Sequence, residues 1–257
     1  MAAKRPNILV VNDDGIHGPG LEPLATALRA LGDVTVVVPA GERSADSHSL
    51  TLHKPLRISE VRPRVYIVNG SPASCARLAI LELLKGKRID LVASGINRGY
   101  NLGQDVLYSG TVAGAMEATL LGIPAIAISR GYDRVHAHSP AAYRPAAEFA
   151  RRLARRVLQR GLPEGVCLNV NVPPVPGGKL RGARVTRLGQ RIYDKSVTLR
   201  HDPAGNPYFW LMGKEVSGKV LPGSDVEAIQ GSRISVSPLQ LDSTHTPSLP
   251  LLESWEL

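Results

Sequence analysis

Short aliphatic runs alternate with segments of helical periodicity over residues 7–160, and this alternation constrains the fold most. The first run, residues 8–11, is apolar at every position, which is typical of a strand buried on both faces. Leucine and alanine then recur at helical spacing between residues 21 and 31, before a second apolar run at 34–38. Because parallel strands need a crossover connection, the pattern predicts a doubly wound, Rossmann-like α/β fold with a mostly parallel sheet.

The same alternation continues along the chain and then stops. Further strands are predicted at 65–68, 89–93, 125–129 and 166–172, and further helices at 72–83, 109–121 and 141–160. A proline- and glycine-rich stretch at 173–178 is followed by short strand-like runs, such as 183–186 and 208–211. We therefore expect an α/β catalytic core over residues 1–172. Residues 173–257 should form a β-rich C-terminal extension of the same domain, serving as an arm that packs on its own core or on a partner subunit.

The composition of the chain indicates its cellular compartment and the charge of its partners. Among the 257 residues, the apolar runs are far shorter than the roughly 20 residues that a membrane-spanning helix needs, so we expect no membrane segment. We expect no signal peptide, because residues 1–6 lead directly into the first predicted strand. The two cysteines, Cys75 and Cys167, are outside any CxxC pair, which favours a reducing compartment and predicts a cytoplasmic protein. The formal net charge of +9 favours anionic partners or substrates.

Two adjacent carboxylates, Asp13 and Asp14, directly follow the first predicted strand. In open α/β sheets, ligands collect outside the carboxyl ends of the strands. Neighbouring anions repel each other, and a divalent cation such as Mg²⁺ or Mn²⁺ would offset that repulsion. The alternative is a solvated turn in which one aspartate caps the next helix.

Other polar groups follow neighbouring strands and should reach the same edge of the sheet. Ser44 lies in a polar loop after the second strand, and Asn97 lies in a Gly- and Asn-rich loop at 94–103. Ser109, Gly110 and Thr111 open a helix whose free N–H groups could hold a phosphate, although a plain Ser N-cap explains them too. Together these residues predict phosphoester hydrolysis by a metal-bound water, with Asp13 or Asp14 accepting its proton.

The chain lacks the sequence motifs of several other protein classes. Residues 15–20 have the spacing GxxGxG rather than GxGxxG, and neither a GxxxxGK[ST] loop nor a GxSxG elbow occurs. A phosphate-accepting receiver module would need an aspartate at the end of its central strand. His136 and His138 are two residues apart in a predicted loop, which is poor support for a metal site. A non-catalytic nucleic-acid-binding or phosphate-sensing protein stays open as the alternative, because five arginines lie between residues 151 and 160.

Several stretches of the chain form recognisable motifs. They are NDDG at 12–15, RS at 43–44 with SLTL at 49–52, NGSPA at 69–73, SGINRGYNLG at 94–103, YSGTVAGAME at 108–117, DPAGN at 202–206 and SVSPL at 235–239. These stretches resemble the family of the stationary-phase survival protein SurE. The resemblance extends over residues 7 to 241, nearly the whole chain, and the two long motifs in the first half are highly specific.

The resemblance implies a metal-dependent acid phosphatase that acts as a 5′- and 3′-nucleotidase, with polyphosphate as a further substrate in some members. It implies one divalent metal ion per subunit, Mg²⁺ or Mn²⁺, held by Asp13, Asp14, Ser44 and Asn97. It places phosphate binding at Asn101, Ser109, Gly110 and Thr111. It also implies a homodimer or homotetramer joined through C-terminal arms, nucleoside monophosphates as substrates, and no nucleic-acid partner.

The chain departs from the family pattern at three positions. Ala45 stands where a glycine usually follows the loop serine, and Ser71 and Ser74 stand where threonine and aspartate are usual. These changes are expected to stiffen the loop or alter substrate preference, while they leave the implied metal ligands in place.

Overall fold

The computed structural model describes residues 5–175, 179–191, 197–211 and 218–255. Most of its strands form one nine-stranded sheet with the order β3-β4-β2-β1-β5-β6-β7-β13-β8. The strands are β1 (Asn7–Val11), β2 (Asp33–Pro39), β3 (Ile58–Arg62), β4 (Val65–Val68), β5 (Leu91–Arg98), β6 (Ala125–Arg130), β7 (Val166–Val172), β8 (Ala183–Val185), β9 (Gln190–Arg191), β10 (Thr198–His201), β11 (Pro207–Trp210), β12 (Gly218–Lys219) and β13 (Ile234–Gln240).

Six α-helices occur in the described ranges. They are α1 (Leu21–Arg29), α2 (Pro72–Leu78), α3 (Gly110–Leu120), α4 (Arg144–Arg160), α5 (Asp225–Gln230) and α6 (Leu249–Glu253). A π-helical turn, Ala79–Leu83, continues α2, and a 3₁₀ turn, Pro140–Tyr143, precedes α4. None of the described helices is both long and apolar enough to cross a membrane.

The sheet is covered by helices on both faces, which confirms the predicted α/β fold. Strand β1 shows the reason, because its side chains alternate between two apolar cores. Ile8 and Val10 pack in a core with α1 and α4, whereas Leu9 and Val11 pack in a core with α2 and α3. Strands buried on both faces read as continuous apolar runs, and the sequence pattern of β1 follows from this position.

Strand order reverses between β1 and β5. From β1 the chain continues outward to β2 and β4 on one side, and β5, β6 and β7 extend the sheet on the other side. All of these neighbouring strands are parallel to each other. Loops leave in opposite directions at such a reversal, so the carboxyl ends of β1 and β5 border a crevice.

The C-terminal half contributes to the same sheet. Strand β13 pairs antiparallel with β7, and β8 pairs parallel with β13. The predicted strands at 183–186 and 208–211 correspond to β8 and β11, and β11 pairs with β10 in an antiparallel hairpin. Three of the residues in the predicted breaker at 173–178, namely 176–178, lie outside the described residues. The division at residue 172 into core and extension stays a prediction.

Several elements differ from the sequence expectations. The edge strand β3 and the short helices α5 and α6 were not predicted, because each is too short to show a clear period. Strand β5 extends to Arg98 through a register shift between Gly95 and Asn97, so Asn97 lies at a strand end instead of in a loop. Helix α4 begins three residues later than predicted, since the 3₁₀ turn occupies the start of that segment.

Candidate active site

The turn after β1 holds the two adjacent aspartates at the crevice between β1 and β5. The buried side chain of Asn12 closes this turn: its Nδ2 donates to the Gly15 carbonyl at 2.8 Å, and its Oδ1 accepts from the Gly15 N–H at 3.1 Å. Gly15 has a φ of +76°, a conformation that glycine adopts without steric penalty. The turn therefore fixes where both carboxylates leave the strand.

Asp13 is buried against the N-terminus of α3, with only 5% of its surface exposed. The Thr111 hydroxyl donates to Asp13 Oδ1 at 2.5 Å. At Gly110, a Cβ would lie 2.9 Å from Asp13 Cβ, so the helix approaches this closely only because the residue is glycine. Burial raises the pKa of Asp13 to about 7, against the lowering effect of the Thr111 hydrogen bond, and Asp14 adds to the rise.

Asp14 borders an open cavity of about 250 Å³ that also has His17, Glu42, Arg98 and His138 in its lining. Its Oδ2 accepts a hydrogen bond from the Arg98 backbone N–H at 3.3 Å. Burial raises the pKa of Asp14, while the positive charge of Arg98 opposes the rise. Asp14 is thus the member of the pair that faces the cavity.

The loop after β2 brings Ser44 to the same edge of the sheet. The Arg43 N–H donates to the Asp13 carbonyl at 2.8 Å, which joins this loop to the aspartate turn. Ser44 Oγ donates to Glu42 Oε1 at 2.8 Å, and the same oxygen lies 3.5 Å from Arg98 Nη2. Glu42 therefore links the hydroxyl of Ser44 to Arg98, at the end of β5.

Asn97 is the last but one residue of β5, beside the residue whose backbone contacts Asp14. Its Nδ2 donates to the Gly99 carbonyl at 3.1 Å. Three strand ends, those of β1, β2 and β5, thus bring the predicted metal ligands to one edge. In the described part of the chain, no three His, Cys, Asp or Glu side chains form a metal-binding group, so the predicted set depends on one hydroxyl and one amide beside two carboxylates.

The residues expected to bind phosphate divide into two groups. Ser109 caps α3, its Oγ accepting from the Val112 N–H at 3.0 Å, and this serine with Gly110 and Thr111 forms the helix start beside Asp13. Asn101 is held by the far strands instead: its Nδ2 donates to Ser129 Oγ at 2.7 Å, and its N–H donates to Asn171 Oδ1 at 2.8 Å. The capping role of Ser109 and an anion-binding role are compatible, because a cap leaves other N–H groups of the first turn available.

Sequence reasoning missed three residues at this edge. Glu42 and Arg98 form the ion pair beside the cavity, and no spacing rule connects two residues that are 56 positions apart. Asp225, at the start of α5, is fully buried and accepts from the N–H groups of Gly103 at 2.9 Å and Gly189 at 2.7 Å. A single aspartate outside any recognised pattern gave no signal of this role, yet Asp225 binds the end of the loop that carries Asn101.

Comparison with known proteins places these residues in a family. A family model described as survival protein SurE matches residues 8–195. A protein of Geobacter sulfurreducens named 5′-nucleotidase SurE is 50% identical over 251 residues, covering 98% of this chain and 94% of the relative. The chain belongs to the SurE family. A SurE relative from Geobacter metallireducens with the same name is 48% identical, with 97% of each chain covered.

A solved SurE structure supports the fold independently. The crystal structure of the SurE protein from Aquifex aeolicus superimposes with a TM-score of 0.85 at 38% identity, covering 98% of this chain and 100% of that one. The SurE family resemblance expected from the motifs is therefore confirmed. The aspartate turn, the end of β5 and the start of α3 all lie within the residues that the family model matches.

Proposed function

We propose that this SurE protein is a metal-dependent phosphomonoesterase that hydrolyses nucleoside 5′-monophosphates to nucleoside and phosphate. The observation that carries the proposal is the contact of Asp13 with Thr111, which joins a buried carboxylate to the N-terminus of α3. A helix N-terminus favours a bound phosphate, and a carboxylate pair favours a cation. The names of the relatives, 5′-nucleotidase SurE, support the same reaction.

The residues present fit a divalent cation. Asp13 is buried, and among the described side chains it has a hydroxyl partner but no cationic one. An anion without a positive partner is unfavourable in a buried position, and a cation bound between Asp13, Asp14, Ser44 and Asn97 would relieve this. Mg²⁺ and Mn²⁺ suit these oxygen donors. When bound, such an ion supplies charge neutralisation at the phosphoryl group and lowers the pKa of water.

The protein's own groups would then orient the substrate and move the proton. Ser109, Gly110 and Thr111 would hold the phosphate at the start of α3, with Asn101 as a further donor from the neighbouring loop. Asp14 borders the cavity, whereas Asp13 Oδ1 is engaged by Thr111. Of the two aspartates, Asp14 is thus the better placed to accept a proton from the attacking water.

The test measures phosphate release from AMP, GMP, CMP and UMP, and 3′-monophosphates and polyphosphate are tested as further candidate substrates. Each measurement is made in chelator and with added Mg²⁺ or Mn²⁺. We expect release that requires metal, and a loss of at least about 100-fold in kcat/KM for Asp14→Asn. The matched control is Asp46→Asn, which removes a carboxylate from the same loop region without touching the predicted set. Release that is equal in chelator, or unaffected by Asp14→Asn, would refute the proposal.

We also propose that the protein is a homodimer or homotetramer joined through the C-terminal extension, residues 173–257. The support is the β10–β11 hairpin, where Phe209, Trp210 and Leu211 are 61%, 56% and 82% exposed. Large apolar side chains exposed on both faces of a hairpin favour contact with a partner surface. Light scattering after gel filtration should show an oligomer that Phe209→Ser with Trp210→Ser dissociates, and a monomeric wild type would refute this.

A cytoplasmic location completes the proposal. Cys75 and Cys167 are both free and buried, as expected for a protein that folds without disulfides. Fractionation of cells that produce the protein tests it.

A further inference from the structure

A buried carboxylate in the second half of α3 has no part in the reaction described above. Glu117 is 2% exposed, and its two carboxylate oxygens contact two different elements. Oε1 accepts from Arg77 Nη1 of α2 at 2.6 Å, and Oε2 lies 2.9 Å from His48 Nε2. Glu117 alone is buried, whereas the side chains of Arg77 and His48 are 46% and 32% exposed. Because such ion pairs are weak evidence for a gain in stability, a role in fixing one conformation is the hypothesis that we pursue.

His48 belongs to the loop after β2 that also contains Ser44, here called the Ser44 loop (residues 40–51). This loop holds two non-glycine residues in the left-handed region, Ala45 at φ +61° and Ser47 at φ +53°. Side chains disfavour that region, so contacts from outside must maintain the loop conformation. The His48 contact with Glu117 is the one that involves a fully buried charge.

Two further contacts fasten the Ser44 loop on either side of His48. The Ser47 N–H donates to the Tyr108 carbonyl at 3.2 Å, just before α3 begins. Ser71 Oγ donates to the Ser49 carbonyl at 2.6 Å, at the start of α2. The loop is thus attached to the two helices that pack on this face of the sheet.

Helix α3 connects this attachment to the reaction site. Thr111, which donates to Asp13, precedes Glu117 by six residues, a distance of about 9 Å along the helix axis. The same helix therefore contacts the aspartate turn through Thr111 and the Ser44 loop through Glu117.

We propose that Glu117 is a positioning residue that, through His48, holds the Ser44 loop in the conformation required for metal binding by Ser44. Its consequence for catalysis rests on the proposed function, whereas its consequence for the loop does not. The contact between His48 and Glu117 is needed because Ala45 has a positive φ, a backbone conformation that is unfavourable for alanine.

The experiment compares His48→Ala with Arg77→Gln, a matched control at the other oxygen of Glu117 that keeps a hydrogen-bond donor. Hydrogen exchange of residues 43–49 is measured in the metal-free proteins, Mn²⁺ affinity by paramagnetic resonance, and kcat/KM with AMP. For His48→Ala we expect exchange about fivefold faster, Mn²⁺ affinity about fivefold weaker and kcat/KM about tenfold lower. Arg77→Gln removes the other partner of Glu117 but no contact of the Ser44 loop, so we expect each of the three effects to be less than half of that of His48→Ala.

Two more variants sharpen the result. Glu117→Gln should reproduce the faster exchange of His48→Ala, and His48 is partly exposed, so its replacement tests the loop even if the Glu117 variant does not fold. Adding Ala45→Gly to His48→Ala should recover at least half of the lost Mn²⁺ affinity on a logarithmic scale, because glycine accepts the left-handed conformation.

The possible results distinguish the proposed role of Glu117 from the proposed catalytic function. Loop exchange or Mn²⁺ affinity of His48→Ala within twofold of wild type would overturn the proposal, as would equal effects of Arg77→Gln. A wild type that releases no phosphate would refute the proposed function, while exchange and Mn²⁺ binding would still decide the role of Glu117.

Discussion

Replacement of Asp13 by asparagine should stabilise the metal-free protein, and the effect should depend on pH. Burial raises the pKa of Asp13 from 3.8 to about 7. Each pKa unit corresponds to about 1.4 kcal/mol, so the ionised side chain lowers the free energy of unfolding by up to about 4 kcal/mol. Asparagine has no charge to desolvate, and its Oδ1 can still accept the Thr111 hydrogen bond.

The direction with pH follows from the raised pKa. Below pH 3.8 the carboxyl group is mostly protonated in both the folded and the unfolded chain, and the two proteins should be similarly stable. As pH rises toward 7, the unfolded chain releases the proton more readily, and the wild type loses stability relative to the variant. Above pH 7 the full difference of about 4 kcal/mol is reached.

Urea unfolding in chelator at pH 4.5 and pH 8 measures this difference. We expect the free energies of unfolding to lie closer at pH 4.5, and Asp13→Asn to be the more stable protein at pH 8. An equal difference at both pH values, or a variant that is less stable at pH 8, would refute the reasoning. Added Mn²⁺ should stabilise the wild type more than the variant, because a ligand bound only by the folded protein adds about 2.7 kcal/mol at 100 times its Kd.

Three other substitutions test the packing around the site. Gly110→Ala places a Cβ 2.9 Å from Asp13 Cβ and should lower kcat/KM by at least about tenfold while circular dichroism stays unchanged. Asp225→Ala leaves the N–H groups of Gly103 and Gly189 unpaired and should lower the free energy of unfolding in urea by about 2–4 kcal/mol. Gly20→Ala would bring a Cβ to 2.1 Å from the Ile96 carbonyl oxygen and should lower the melting temperature, whereas the control Gly41→Ala, with open space around it and no positive φ, should lower it less.

The layered fold could be predicted because most of its strands and helices are indicated by a pattern within a short segment of the sequence. An apolar run such as residues 8–11 identifies a strand buried on both faces, and the order of runs and helices sets the connections. The position of Asp13 and Asp14 at a strand end followed from the same reasoning. The family resemblance added Asn101, which no spacing argument had selected.

What the sequence could not predict depends on contacts between distant segments. The pairing of Glu42 with Arg98 and the approach of His48 to Glu117 join residues that are 56 and 69 positions apart. Strand β13 was missed for a different reason. Its residues Ser235 and Ser237 are polar although they are buried beside β7, so this strand lacks the continuous apolar run by which a strand such as β1 was predicted.

The place of β13 beside β7 determines where the chain can be shortened. A fragment ending at residue 172, or at the limit of the family match at residue 195, would lose six backbone pairings along β7. That strand would then present a row of unsatisfied amide and carbonyl groups to other molecules, which is a template for aggregation. Strand β13 therefore protects the edge of β7, and recombinant fragments of this protein should keep it.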